Sequence, residues 1–433
     1  MRRSAPAAGS TRLALGGEVE FAFSLSAPGE AWAALTLAAP GTSWWRPKTA
    51  VVEMDVDGCA CQEIILAGGE EPTEYLRLLG RLSSGAHRIR LRIHGDLTAF
   101  PAPEVVAHEV CTGLVADSDP VAPIWRHAPV MHYRALDSGL DSLVTDTPLL
   151  LFYRTARRGD DTIVEYHVIY SHEDAGTDLT GLLARWGHTV DIEWVFRVTL
   201  GPSGRVCDEE FQGPAHDTVR FAGRRTMTGH PILQVATRNG MVTDHVVCPY
   251  RAALAPACRQ PEGEPREGVL HRFPWIYRVS AGEVHRQAHL EEVADPATPV
   301  PADPRAYLYL HCKRSTGAAA LPLEAAVRVG GAWFTSTWGR RDLAPDEPDA
   351  ESTAVKLPAR HNRGRDQRHR ASRHGVAATP GGGCARARVP ARPPLPSAST
   401  ASSPGYRPVD DGCAQPNCLG ARVGLGWSPL SSP

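Results

Sequence analysis

Between residues 167 and 245 the sequence gathers polar side chains capable of chemistry. Tyr170-Ser171-His172-Glu173-Asp174 closes one apolar run, and Gly187-His188-Thr189-Val190-Asp191-Ile192-Glu193-Trp194 opens the next. Asp191 and Glu193 are two positions apart at the start of an extended segment, so their side chains share a face. His188 precedes them in a turn, and Asp174 reaches the same rim if the two runs pair as strands. Carboxylates with one imidazole on a common rim suit a hard divalent cation, Mg²⁺, Mn²⁺ or Ca²⁺. Without a cation such a cluster repels itself and raises at least one carboxyl pKa. The metal set read from the sequence is therefore Asp174, His188, Asp191 and Glu193.

Two other readings of these residues stay open. Asp191 and Glu193 flank an apolar Ile192, as a solvated strand edge does, with Arg185 and Arg197 as salt-bridge partners. Alternatively the carboxyls are catalytic without metal, a glycosidase-type acid paired with a base or nucleophile. His216-Asp217 and Asp244-His245 read as turns, as does Asn239-Gly240. The sequence holds no nucleophile elbow, phosphate-binding loop, dinucleotide glycine pattern or HExxH zinc motif.

The elements that must position these groups are mostly strands. Leu149–Tyr153, Ile163–Tyr170, Ile192–Leu200, Ile232–Thr237 and Ala306–His311 are short and rich in β-branched or aromatic residues. Asp178–Arg185 begins with a capping Asp and continues with Leu-rich periodicity, which predicts a helix. Trp275–His289 carries a weaker helical pattern. Ala325–Val329 and Ala332–Thr337, joined by Gly330-Gly331, predict a hairpin with a primed turn. Towards the N-terminus, Val19–Leu25, Ala50–Val56 and His87–Ile93 alternate apolar and polar residues, the signature of half-buried strands. Asp57-Gly58 and Ser84-Gly85 supply turns between them.

The predicted fold class is mainly β: two β-sandwich-like domains, few short helices and a disordered C-terminal tail. An accessory sandwich spans 18–100, a linker containing PAPE and DSDPVAP spans 101–123, and the main β-rich domain spans 124–358. Residues 359–433 are rich in Arg, Pro, Gly, Ser and Ala and lack periodicity, so they cannot bury enough apolar surface to offset ordering entropy. That composition also fits a frame-shifted read of GC-rich DNA. In the accessory domain, Trp44 and Trp45 could present a sugar-stacking platform, although adjacent strand residues point to opposite sides.

Part of the chain resembles known families. The Gly-His-x-x-Asp-x-Glu spacing of Gly187 to Glu193 is similar to the GHRHDWE heptapeptide of necrosis- and ethylene-inducing-like (NPP1-type) proteins and, more loosely, to Vps62-type domains. His230-Pro231-Ile232-Leu233-Gln234-Val235-Ala236 resembles the HPVVYVA strand of that broad group. The resemblance implies a β-sandwich with a cation at the end of a cleft, held by His188, Asp191, Glu193 and an upstream Asp, which becomes Asp174 with an insertion. Val190 and Ile192 replace the second His and the Trp of the heptapeptide. The stretch Leu79–His87 (LGRLSSGAH) resembles the turn-into-strand of accessory sandwiches, many of which bind carbohydrate. The middle segment also resembles a group of uncharacterised bacterial proteins.

Composition bounds the rest. The chain has 433 residues, 42% hydrophobic and 22% charged, with a net charge of -2. That balance gives no general attraction to nucleic acid or anionic membranes. No apolar run approaches about 18 residues, so no transmembrane helix is expected. Met1–Gly17 lacks the roughly 7–15-residue apolar core of a signal peptide, which makes the cytoplasm the default compartment. The ten cysteines leave an odd number in the main body once Cys384, Cys413 and Cys418 of the tail are set aside, a poor disulfide framework. Nothing in the pattern speaks to oligomeric state. The expected function is cation-assisted binding of an oxygen-rich ligand, a glycan or a lipid headgroup. The alternatives are a metal-assisted or glycosidase-type hydrolase, and a structural protein with no ligand.

Overall fold

The computed structural model describes residues 2–3, 10–46, 48–98, 104–136, 141–173, 178–286, 290–311, 324–343 and 352–358. The predicted tail, 359–433, lies outside them, as does Asp174. The fold is mainly β, with short helices.

The N-terminal sandwich follows from alternation. In Gly85–Ile93, His87, Ile89, Leu91 and Ile93 point inward, while Arg88, Arg90 and Arg92 point out. The outward arginines meet Glu20, Asp55 and Glu53 on neighbouring strands. One antiparallel sheet runs in the order Glu18–Leu25, Gly85–Ile93, Val51–Val56, Cys59–Ile65. The facing sheet places Gly29–Ala38 between Thr73–Leu82 and Glu104–Ala116. Leu35, Leu37, Val52, Met54, Ile64, Ile89 and Leu91 fill the space between the sheets. Burial of each such side chain contributes roughly 1.5–3 kcal/mol.

The linker expected over 101–123 is corrected by this sheet. Glu104–Ala116 is a 13-residue strand, and it aligns with Gly29–Ala38 over most of its length. Ala122–Arg126 is a short helix with Pro123 in its first turn, where a missing N–H costs nothing. The outer face of this second sheet is also apolar. Trp32 is 1% exposed and packs on Trp125, with ring centroids 6.5 Å apart. Gly113 opposes Trp32 across the sheet, and a Cβ there would lie 2.1 Å from the indole. Trp32, Leu78 and Val115 therefore join one core with Met131, Tyr166 and Phe196 of the larger region. The two sandwiches share a hydrophobic interior, so 104–126 works as structure rather than as a spacer.

The larger region is built on a six-stranded sheet. Its order is Thr218–Arg220, Val206–Gln212, Asp191–Leu200, Asp161–Tyr170, Pro148–Arg158, Pro256–Arg259, the last pairing being parallel. A smaller sheet of Val242–Thr243, Ile232–Val235, Val130–His132 and Arg251–Ala252 contributes Met131, Leu233, Val235 and Ala252 to the same core. The predicted helices appear as Leu179–Arg185 and Trp275–Arg286; Asp178 caps the first by accepting from the Thr180 N–H. Ala326–Val329 and Ala332–Thr335 form the predicted hairpin, and Gly330 and Gly331 have φ of 59° and 89°, as a primed turn requires. Tyr307–His311 pairs with Ser352–Lys356. Among the described residues no helix is long and apolar enough to cross a membrane.

Candidate functional site

Asp161–Tyr170 and Asp191–Leu200 run antiparallel, with Tyr170 opposite Asp191 and Val168 opposite Glu193. The chain reaches Asp191 through Gly187 (φ 71°), which presses on the Thr353 backbone: a Cβ there would lie 3.0 Å from its N, C and O atoms. Asp191 and Glu193 share a face, as read from the sequence. Directly beside them, Gly240 (φ 65°) turns the chain so closely that a Cβ would lie 2.5 Å from Asp191 Oδ2 and 2.6 Å from Tyr170 Cε2. The Tyr170 hydroxyl donates to the Gly240 carbonyl oxygen at 3.0 Å, fixing the turn against the ring.

Electrostatically the rim is crowded with acid. Asp191 is 2% exposed, and its Oδ2 has no hydrogen-bond partner. Burial, reinforced by Glu193, Glu173 and Asp146, pushes its carboxyl well above the usual range. The Glu193 carboxyl is pushed up to about 7, first by burial and further by Glu173. Arg266 opposes this, as do hydrogen bonds from Gln212 and Asp191. Burial and the same acidic group, Asp191, Glu193 and Asp146, also drive the Tyr170 phenol up.

His188 does not join the pair. It is 3% exposed; its Nδ1–H donates to the Val190 carbonyl at 2.8 Å, and its Nε2 lies 3.8 Å from Glu267 Oε1. The carboxylate it faces is Glu267, the residue before the helix Gly268–Arg272. Among the described residues no three His, Cys, Asp or Glu side chains converge as a metal-binding group. The structure thus brings together Asp191 and Glu193 from the predicted set and separates His188.

Both expected salt-bridge partners are engaged by other groups. Arg197 binds Glu165 and Glu210 and lies over Trp194, while Arg185 donates to the Asp342 carbonyl. The cation that does bear on them is Arg266, which donates to the Ile192 carbonyl at 2.8 Å and to Glu267 at 3.0 Å. Arg266 and Gln212 were not among the residues singled out from the sequence. Both reach the rim from other segments, and no local spacing signals them.

Trp44 is corrected as a sugar platform. It is 4% exposed, packed in the shared core, and covered by the Arg286 guanidinium 4.5 Å from its ring. Trp45 is partly exposed but lies between His285 and Arg305. Of the described cysteines, none is in a disulfide.

No family model matches the chain, and no curated protein matches it. Similar solved structures include the CBM36-1 domain of a multidomain xylanase from the hindgut metagenome of Trinervitermes trinervoides. That match has 18% identity and a TM-score of 0.18, covering 24% of this chain and 77% of the other. A ruminal GH26 endo-beta-1,4-mannanase matches at 10% identity and a TM-score of 0.19, over 30% of this chain and 29% of the other. The Podospora anserina GH26-CBM35 beta-(1,4)-mannanase matches at 9% identity and a TM-score of 0.17, over 28% and 29%. TM-scores this low leave the reading of the site to its own geometry.

Proposed function

We propose that the Asp191–Glu193 pair holds a hard divalent cation whose remaining positions take oxygens of a glycan or a lipid headgroup, making the chain a cation-assisted binding protein. The observation that carries this reading is Asp191 Oδ2, a buried carboxylate oxygen with no hydrogen-bond partner, beside a second raised carboxyl. A buried carboxylate without compensation is costly. A cation would offset that cost and remove the mutual repulsion. Mg²⁺ is commonly held by one or two carboxylates, with water and ligand oxygens completing the shell. Gly240 supports the same reading, because only a residue without Cβ leaves the space beside Oδ2 open.

A glycosidase role fits less well. Its two carboxyl groups must stand about 5–9.5 Å apart to flank the scissile bond. Asp191 is 2% exposed, so its carboxyl is closed off from a scissile bond that both groups would have to flank.

The test is metal analysis of the purified full chain, with thermal melts in Mg²⁺, Mn²⁺ and Ca²⁺. The expected result is a cation-dependent rise in Tm that Asp191→Asn and Glu193→Gln each abolish. A wild-type protein blind to all three cations, or a shift that survives both substitutions, overturns the proposal. Glycan arrays and anionic-lipid vesicles, each with and without cation, then separate the two ligand sources.

A further inference from the structure

A second constellation lies where the helix Gly268–Arg272 meets the strand Tyr307–His311, and its chemistry is imidazole rather than carboxylate. His271 Nε2 and His311 Nε2 face one another at 2.9 Å, and both residues are exposed. Two facing ring nitrogens need something between them, a proton or a metal, because two lone pairs at that distance repel.

The hydrogen-bond chain behind His311 settles which nitrogen is bare. Glu267 is a carboxylate that Arg266 Nε–H already donates to, at 3.0 Å from its Oε1. It can therefore only accept. Ser352 Oγ donates to Glu267 Oε2 at 3.1 Å, so its lone pair must accept from His311 Nδ1–H, 2.9 Å away. With its proton on Nδ1, neutral His311 presents a free lone pair at Nε2. His311 and Ser352 are opposite one another in the sheet, so the ring is oriented by backbone register. On the other side, the Tyr277 hydroxyl lies 3.5 Å from His271 Nδ1, and the Tyr277 and Tyr309 rings, tilted by 34° with centroids 4.7 Å apart, stand beside His271.

We infer that His271 and His311 form a site for a borderline transition-metal dication of the Zn²⁺ class, with water or an exogenous ligand completing the shell. Imidazole pairs favour this class over Mg²⁺ or Ca²⁺. Tetrahedral Zn–N bonds of about 2.0–2.1 Å set two Nε2 atoms about 3.3 Å apart, a few tenths of an ångström beyond the present separation. The Glu267–Ser352–His311 chain supplies the orienting hydrogen bond that metal-bound imidazoles use on their other nitrogen. The site is independent of the carboxyl pair, which offers only oxygen donors.

The experiment titrates the full chain with Zn²⁺ by calorimetry and with Co²⁺ by absorption spectroscopy. One equivalent is expected to bind, with Co²⁺ showing imidazole-ligated bands. His271→Gln and His311→Gln, both at exposed positions, should each weaken binding at least tenfold while leaving the circular-dichroism melt of the metal-free protein in place. Ser352→Ala should weaken it about tenfold by freeing the His311 ring. Asp191→Asn should leave it unchanged. Absence of Zn²⁺ binding, or binding that survives both histidine substitutions, overturns the site and leaves an ordinary N–H···N hydrogen bond. Binding that Asp191→Asn removes would overturn it as well, since the metal would then belong to the carboxyl pair.

Discussion

Glu165 and Asp191 stand on neighbouring strands of one sheet; both are almost fully buried, and they titrate in opposite directions. For Glu165, burial alone would raise the carboxyl, but the His167 hydrogen bond and the charges of Arg154 and Arg197 reverse it and hold the group ionised. His167 Nε2 lies 2.9 Å from Glu165 Oε1, Arg154 reaches the same oxygen at 2.5 Å, and Arg197 donates twice to Oε2, at 2.9 and 2.6 Å. At Asp191 burial meets further acid, Glu193, Glu173 and Asp146, with Arg266 as the opposing charge. Burial is thus common to both, and the sign of the shift follows from which charges the register places opposite. Arg197 lies across from Glu165, whereas Tyr170 lies across from Asp191. A carboxylate with its cations built in is structural. One with an unpartnered oxygen is a place where an external cation can matter.

The sharpest way to break this contrast is to neutralise the satisfied member. Glu165→Gln removes the anion that Arg154, His167 and Arg197 share, and breaking a buried ion network costs about 3–5 kcal/mol. Arg154 is 37% exposed, so the lower end, about 3 kcal/mol, is expected. Urea unfolding at pH 7 measures it; a loss below about 1 kcal/mol would mean that the network is not holding the sheet. Gly240→Ala is the next largest. Its φ of 65° and the 2.5 Å approach of Asp191 Oδ2 make both backbone and Cβ unfavourable, for about 1–3 kcal/mol. The same substitution should erase any cation-dependent Tm shift, because the new methyl group fills the space beside Oδ2. A variant that keeps its cation response would separate that space from the binding site.

Period-two alternation located three strands of the first sheet; in Glu18–Leu25 and Gly85–Ile93 it marks one face in the sandwich core and one towards water. It failed for Glu104–Ala116. That strand packs Val105, Ala107 and Val110 into the first sandwich and Cys111 and Val115 into the core shared with the larger region, so its burial does not alternate, and the prolines before and after it imitate a linker. Trp44 misled for a related reason: a tryptophan near a sheet edge looks available until Arg286, 242 residues further on, closes over it. At the rim, the Asp191–Glu193 pair was legible because two-residue spacing fixes a shared face. The orientation of His188 was not, because it depends on Gly187 meeting Thr353 and on Glu267 lying nearby, both contacts from distant parts of the chain.

The smallest effect expected is also the one that bears most directly on function. The Glu193 carboxyl stands at about 7 in the folded chain against an ordinary value of 4.5. The folded state therefore holds a proton between those values that the unfolded chain releases. This contribution to stability is full below about pH 4.5 and lost as pH rises through 7. Glu165 has the opposite sign: its contribution is present at neutral pH and is lost as pH falls below the ordinary carboxylate range. Glu193→Gln abolishes only the first slope, so the variant should be more stable than wild type at pH 8, by about 1 kcal/mol once relaxation and water entry are allowed for, and no more stable at pH 4.5. Adding Ca²⁺ or Mg²⁺ to the wild-type chain should flatten the same slope, because a bound cation replaces the proton as the charge that offsets the pair. Thermal melts from pH 4 to 8 with and without cation measure both. If Glu193→Gln leaves the profile untouched, the carboxyl is already ionised and compensated, and the contrast with Glu165 disappears.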